Sequence, residues 1–232
     1  VASMNNSRRF IDAYNRIDKA LHNRFGFKPS MSYSDAVRRA AAINSVVRKY
    51  EDDLIDYGRL RNAIVHRSNS KATIAEPHDD VTERFEHIAE ILEKPPLAST
   101  IAHKAATVKK TAPLADAIRT MDGRGFSNMP VIDGGRIVGI LTNKTVVAFL
   151  AANLGDMDAA CAAATVGDAL DGSDSYYAIL RDCPVDDVLA AYEKNRRLVM
   201  LMITRGGTAD GELIGVVTPS DLVTVSKMLD PY

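Results

Sequence analysis

With 232 residues, 46% of them apolar, the chain is long for one ordinary core and sufficient for two, so two domains are expected. A formal charge of -1 argues against a wholesale nucleic-acid or membrane-surface binder, and no run of 18 uninterrupted apolar residues offers a membrane-spanning helix. The two cysteines, Cys161 and Cys183, have neither CxxC spacing nor a neighbouring histidine, so no metal site is expected and both read as reduced thiols of a cytoplasmic protein. The near-neutral total hides an asymmetry: residues 1–71 carry 14 Lys or Arg against 7 Asp or Glu, whereas residues 72–95 carry 2 against 7.

The front of the chain reads as helices. Phe10, Ile11, Tyr14, Ile17 and Leu21 recur at spacings of mostly three and four, which places them on one helical face and ends the helix near Gly26, with Pro29 just beyond. Ser32 or Ser34 caps a second helix through Ala36, Ala40, Ile43 and Val47, and Leu54, Tyr57, Leu60 and Ile64 mark a third. A fourth begins between Glu76 and Asp80, where acidic side chains suit the positive end of a helix, and runs through Phe85, Ile88, Ile91 and Leu92 to Lys94-Pro95-Pro96. Residues 1–95 therefore form a predicted helical bundle.

At the end of the third helix stands Arg61-Asn62-Ala63-Ile64-Val65-His66. Asn62 and His66, four apart, share a face, with Arg61 on its flank. This motif, at a helix end in an antiparallel bundle, resembles the signature of HEPN domains, small helical units that pair as homodimers and include metal-independent ribonucleases. The resemblance implies His66 as general acid/base, Arg61 as phosphate clamp and Asn62 as an orienting residue, with RNA as partner on the basic front surface. The plainer account is that Arg59, Arg61, His66 and Arg67 sit where a helix dipole favours cations by about 0.3–1 kcal/mol. His22, His78, His87 and His103 lack metal-ligand spacing and read as surface or packing residues.

Beyond Pro96 short Val/Ile/Met runs alternate with Ala-rich helical stretches and glycine turns, the texture of mixed helix and strand. One unit occurs twice. Pro113-Leu114-Ala115-Asp116-Ala117 leads a helix, Met129 to Ile132 is a strand, Gly134-Gly135 a turn, and Ile137 to Leu141 a return strand. Pro184-Val185-Asp186-Asp187-Val188, Val199 to Ile203, Gly206 to Gly211 and Leu213 to Val217 repeat that order. The closing Gly139-Ile140-Leu141-Thr142 and Gly215-Val216-Val217-Thr218 lie 76 residues apart.

Each unit resembles the CBS repeat, with Thr107-Val108 and Thr165-Val166-Gly167-Asp168 as lead-ins. The resemblance covers residues 99–229, with repeat one at about 99–153 and repeat two at about 165–229. It implies a pseudo-twofold pair whose clefts bind an adenosine nucleotide, AMP, ADP, ATP or S-adenosylmethionine, as a regulatory ligand. Pro219 suits a first helical position, and the free N–H groups at that helix mouth, with the Thr218 hydroxyl, suit a phosphate. Asp221 could accept ribose hydroxyls, and adenine would lie on Val199, Met200 and Leu201, with Thr107 and Thr142 also at the clefts. Lys109, Lys110, Arg196 and Arg197 are further candidates for phosphate contact. Thr218 with Asp221 equally reads as a helix cap worth about 1 kcal/mol. In the first repeat Thr145 stands where Asp221 stands in the second, so that cleft is expected to be empty, weaker or differently occupied.

The expected fold is α+β: a HEPN-like helical bundle over 1–95, then a tandem CBS pair over 96–232, joined by the short Pro-containing segment Glu93 to Leu97. The leading functional expectation is a nucleotide sensor controlling a helical dimerisation domain. A nucleotide-regulated ribonuclease and a dimeric scaffold without ligand are the alternatives.

Overall fold

A computed structural model describes residues 5–66, 76–172 and 174–229, and divides into two compact units, Val1–Pro96 and Leu97–Tyr232.

The first unit is helical. Asn5 caps α1 (Asn6–Phe25) by accepting from the Arg8 N–H, and Gly26, in the left-handed region at φ 65°, ends it. Ser32 caps α2 (Tyr33–Ile43) by accepting from the Asp35 N–H. The expected continuation of α2 through Val47 does not occur. Asn44 takes an extended conformation, its side chain accepts from the Val47 N–H, and a separate helix α3 (Ser45–Lys49) starts there. That cap leaves Ile43 67% exposed while Val46 and Val47 are buried. Helices α4 (Glu51–His66) and α5 (Asp79–Glu93) complete the unit.

Aromatic rings form its centre. Phe85 lies 4.6 Å from Phe10 and 4.9 Å from Tyr57 between ring centroids, and Ile17, Leu21, Leu54 and Ile88 fill the surrounding space. The charge asymmetry has a structural purpose. Arg9 pairs with Glu86, Arg16 with Glu93 at 2.8 Å, and Asn6 donates to Asp79, so α1 and α5 run side by side in the same direction, a parallel pair within what was expected to be an antiparallel bundle. Arg84 of α5 reaches Asp53 of α4 at 2.8 Å. Acidic residues from 76 onward thus neutralise part of the basic front, which lowers the positive field available to a polyanion.

The second unit holds two three-stranded sheets of one topology. In the first, β1 (Val108–Lys109) pairs parallel to β2 (Asn128–Asp133), which pairs antiparallel to β3 (Arg136–Thr142). In the second, β4 (Tyr177–Leu180) pairs parallel to β5 (Met200–Thr204), which pairs antiparallel to β6 (Leu213–Val217). Helix α6 (Leu114–Arg124) links β1 to β2, and α9 (Val185–Lys194) links β4 to β5. Helix α7 (Asn143–Ala152) follows β3, then α8 (Met157–Ala163), while α10 (Leu222–Leu229) follows β6. Leu141, Val131 and Met129 pack with Leu114 and Met121 of α6. Ile137 and Ile140 pack with Met200, Met202 and Val216, so one apolar layer is shared by the two repeats.

The lead-in segments are exchanged. Val166 donates its N–H to Ala112 O and Thr165 bridges Pro113, so residues before repeat two complete repeat one. In return Ala98 donates to Cys183 O and Leu97 bridges Pro184. Thr165 to Asp168 is therefore the counterpart of Leu97 to Thr100, while Val108, which pairs with Val131, corresponds in the second sheet to Leu180, which pairs with Ile203. Thr165 N–H and hydroxyl both donate to Asp168, holding its carboxyl below the ordinary carboxylate range. Cys183 is buried at this crossing. Burial above all, with Asp187 and Asp182, pushes its thiol up to about 11, which fits a packing group and not a nucleophile.

Candidate functional site

The helix mouth after β6 opens on a cleft of about 460 Å³. Its floor is apolar, from Val199, Met200 and Val216, with Ala105, Ala106 and Phe126 on its walls; Thr218, Pro219 and Ser220 stand at the mouth, beside His103 and Lys104. Thr218 is still extended (φ -118°, ψ 166°); the strand gives way at Pro219, which has no N–H and opens a tight helical turn over Pro219–Asp221 that α10 continues from Leu222.

Asp221 holds this mouth from behind. Thr218 donates its N–H (2.7 Å) and its hydroxyl (2.8 Å) to Asp221 Oδ2, Ser220 Oγ lies 2.7 Å from Thr218 Oγ1, and His103 Nδ1 stands 3.5 Å from the same carboxylate oxygen. The capping arrangement is therefore present. It fixes the Thr218 rotamer, leaves the Asp221 side chain 22% exposed, and puts every hydrogen bond of that carboxylate among the described residues on Oδ2.

One glycine places the basic wall. His103 N–H donates to Val216 O (3.0 Å) and Val216 N–H to His103 O (2.9 Å), so the segment before β1 lies against β6 of the other repeat. A Cβ on Gly215 would meet Ala102 Cβ and His103 O at 3.0 Å each. The absence of a side chain there lets His103 and Lys104 reach the cleft.

At the first repeat's mouth the corresponding groups are bonded to one another. Thr145, 3% exposed, accepts the Thr142 N–H and donates to Thr142 O, while its own N–H goes to Thr142 Oγ1. Asn143 N–H, first in α7, donates to Ser127 O. Lys144 stands over the Tyr176 ring, 4.8 Å from its centroid, and donates to its hydroxyl. Thr145 offers this mouth no carboxylate for a ribose, and the pocket beside Asn143 and Val146, about 300 Å³, is smaller than the cleft at Thr218.

Of the residues singled out by sequence, Thr218, Val199 and Met200 line the open cleft. Leu201 is wholly buried behind Met200, Thr107 is exposed away from the lining, and Thr142 belongs to the first repeat's mouth. Lys110 faces Asp133 at 3.8 Å, and Lys109, Arg196 and Arg197 stand outside the lining. Sequence reading missed Lys104, Phe126 and Asn128, and took His103 for a surface or packing residue, because strand pairing between distant segments leaves no local signal.

In the helical unit Arg61 lies with its guanidinium 4.7 Å from the Tyr14 ring centroid and donates from Nη1 to Asn62 Oδ1 (3.2 Å). His66 ends α4, and its side chain lies outside the described residues. Tyr14 stacks in turn on Tyr33, at 4.3 Å, beside Gly58, where a Cβ would meet the Tyr33 ring at 2.9 Å. Arg61 is thus tied to its own helix and to α1. Among the described residues there is no cluster of three His, Cys, Asp or Glu that could hold a metal, and no helix is long and apolar enough to cross a membrane.

The CBS domain family matches residues 88–152, which take in the first repeat; the second is tied to it by its sheet topology. Similar solved structures include a CBS domain-containing protein from Kribbella flavida, 19% identical over 56% of this chain and 97% of that one, with a TM-score of 0.48. A protein with CBS domains assigned to signal transduction, from Burkholderia ambifaria, is 22% identical over 56% and 93% (TM-score 0.45). CBSX2 in complex with AMP is 20% identical over 56% and 95% (TM-score 0.45). No curated protein matches the chain.

Proposed function

We propose, for a chain that carries a CBS domain over residues 88–152, that the open cleft at Thr218 binds an adenosine-type nucleotide and that the protein is a ligand-dependent regulator. The observation that carries this reading is the cleft itself: about 460 Å³, with an apolar floor that ends at a helix mouth beside His103 and Lys104. Adenine lies on Val199, Met200 and Val216. The phosphate sits at Thr218 and Ser220, where the mouth supplies hydroxyls and a positive dipole end. Asp221 keeps Thr218 aimed and offers its second oxygen to a ribose hydroxyl. In the first repeat Thr145 stands in place of Asp221 and is bonded to Thr142, and Lys144 is held by Tyr176, so the cleft at Thr218 is the occupied one.

Calorimetric titration with AMP, ADP, ATP and S-adenosylmethionine tests the assignment. Asp221→Ala removes both a charged acceptor and the tether of Thr218, and is expected to weaken binding by about tenfold or more. Unchanged affinity in that variant would remove Asp221 from the site.

The helical unit is the element proposed to respond, as a HEPN-like dimerisation bundle linked through the short segment around Pro95 and Pro96. Coupling requires that the ligand favour one paired state over another, which ultracentrifugation with and without nucleotide measures. Ribonuclease action through Arg61, Asn62 and His66 is the alternative for the same unit, read out by cleavage of labelled RNA in EDTA that is lost in His66→Ala.

A further inference from the structure

We propose, resting on the nucleotide reading of the open cleft, that this cleft selects phosphorylated adenosine ligands and excludes the cationic S-adenosylmethionine, with Lys104 as the residue that sets the choice. The argument is one of charge. His103 and Lys104 are the titratable side chains that line the cleft. No carboxylate is among its lining residues: Asp221 stands behind Thr218 with its hydrogen bonds on Oδ2 and His103 at 3.5 Å from that atom, and the ribose contact proposed for its second oxygen is shared by every adenosine ligand and does not discriminate among them. Lys104 forms no ion pair or hydrogen bond among the described residues, whereas Lys144, next to the other mouth, is committed to Tyr176. An ammonium without a local counter-charge, beside hydroxyls at a helix N-terminus, favours a ligand that brings negative charge.

The two ligand types differ at that end of the molecule. AMP brings a phosphate of nearly two negative charges to the mouth, and Lys104 with Thr218 and Ser220 can engage it by charge-assisted hydrogen bonds. S-adenosylmethionine brings a sulfonium, an ammonium and one carboxylate, a net positive group, so it meets like charge at Lys104. Neutral adenosine fills the apolar floor and leaves the mouth empty. It therefore measures the contribution of the floor alone.

The test is titration of the full chain with adenosine, AMP, ATP and S-adenosylmethionine, in wild type and in Lys104→Gln and Lys104→Glu. Lys104 is exposed, so both variants are expected to fold, which circular dichroism checks. In wild type AMP is expected to bind about tenfold or more tightly than adenosine, with an advantage that shrinks as salt is raised, and S-adenosylmethionine more weakly than adenosine. In Lys104→Gln the AMP-to-adenosine ratio is expected to fall to within about threefold, and in Lys104→Glu the order of AMP and S-adenosylmethionine reverses. S-adenosylmethionine binding as tightly as AMP in wild type, or an unchanged ratio in both variants, overturns the charge selection while leaving an adenosine cleft. Failure of every adenosine compound to bind overturns the cleft reading, and the selection with it.

Discussion

Gly215→Val is expected to remove ligand binding from the open cleft while the helical unit stays folded. A single Cβ at this position already meets Ala102 Cβ and His103 O at 3.0 Å, and valine adds two further carbons toward the same segment. The reciprocal hydrogen bonds between His103 and Val216 cannot then form at their present 3.0 and 2.9 Å. Leaving buried backbone groups unpaired costs about 1–3 kcal/mol each, so the segment lifts away and takes His103 and Lys104 with it. Two such losses correspond to a drop in affinity on the order of a hundredfold, because the ligand must first reorder its own wall. Hydrogen exchange supplies the independent readout. The His103 and Val216 amides are expected to be protected in wild type and to exchange freely in the variant, and protection retained with unchanged AMP affinity would sink the docking account.

Phe85→Ala is expected to produce the largest loss of stability in the helical unit, about 3–5 kcal/mol, because a fully buried ring is replaced by a cavity. The neighbours cannot collapse into it easily. Phe10 and Tyr57 lie on two sides of the ring, and α1 and α5 are pinned along their length by Arg9–Glu86 and Arg16–Glu93. In urea, followed by far-ultraviolet circular dichroism, the midpoint of the helical transition is expected to fall by about 1–5 M at the slopes of about 1–3 kcal/mol/M usual for small domains. The sheet unit should retain its own transition and its nucleotide binding. A variant that unfolds as a single transition with both units would show that they are energetically one body.

Much of the architecture was legible because it is written in local patterns. The face of Phe10, Ile17 and Leu21, the cap at Ser32 and the stop at Gly26 are properties of consecutive residues, and α1 and α2 begin where those signals stand. The duplication was visible because Gly139 to Thr142 and Gly215 to Thr218 recur in one frame, and the sheets share one strand order. The break at Asn44 was less clear, since the apolar spacing continues across it and only the Asn44 side-chain bond to Val47 decides against one helix.

By itself the sequence determined most of the helices, the two hairpins and the turn at Thr218 to Asp221, because periodicity, caps and turn residues act over a few positions of chain. Tertiary structure alone decided that Ala98 completes repeat two and Val166 repeat one, that His103 and Lys104 wall the open cleft, and that Lys144 is held by Tyr176. The physical reason is that strand exchange and cleft walls depend on which distant segments share a sheet edge. Backbone hydrogen bonds at that edge are blind to side-chain type, and the one residue that had to be special, Gly215, acts by having no side chain at all.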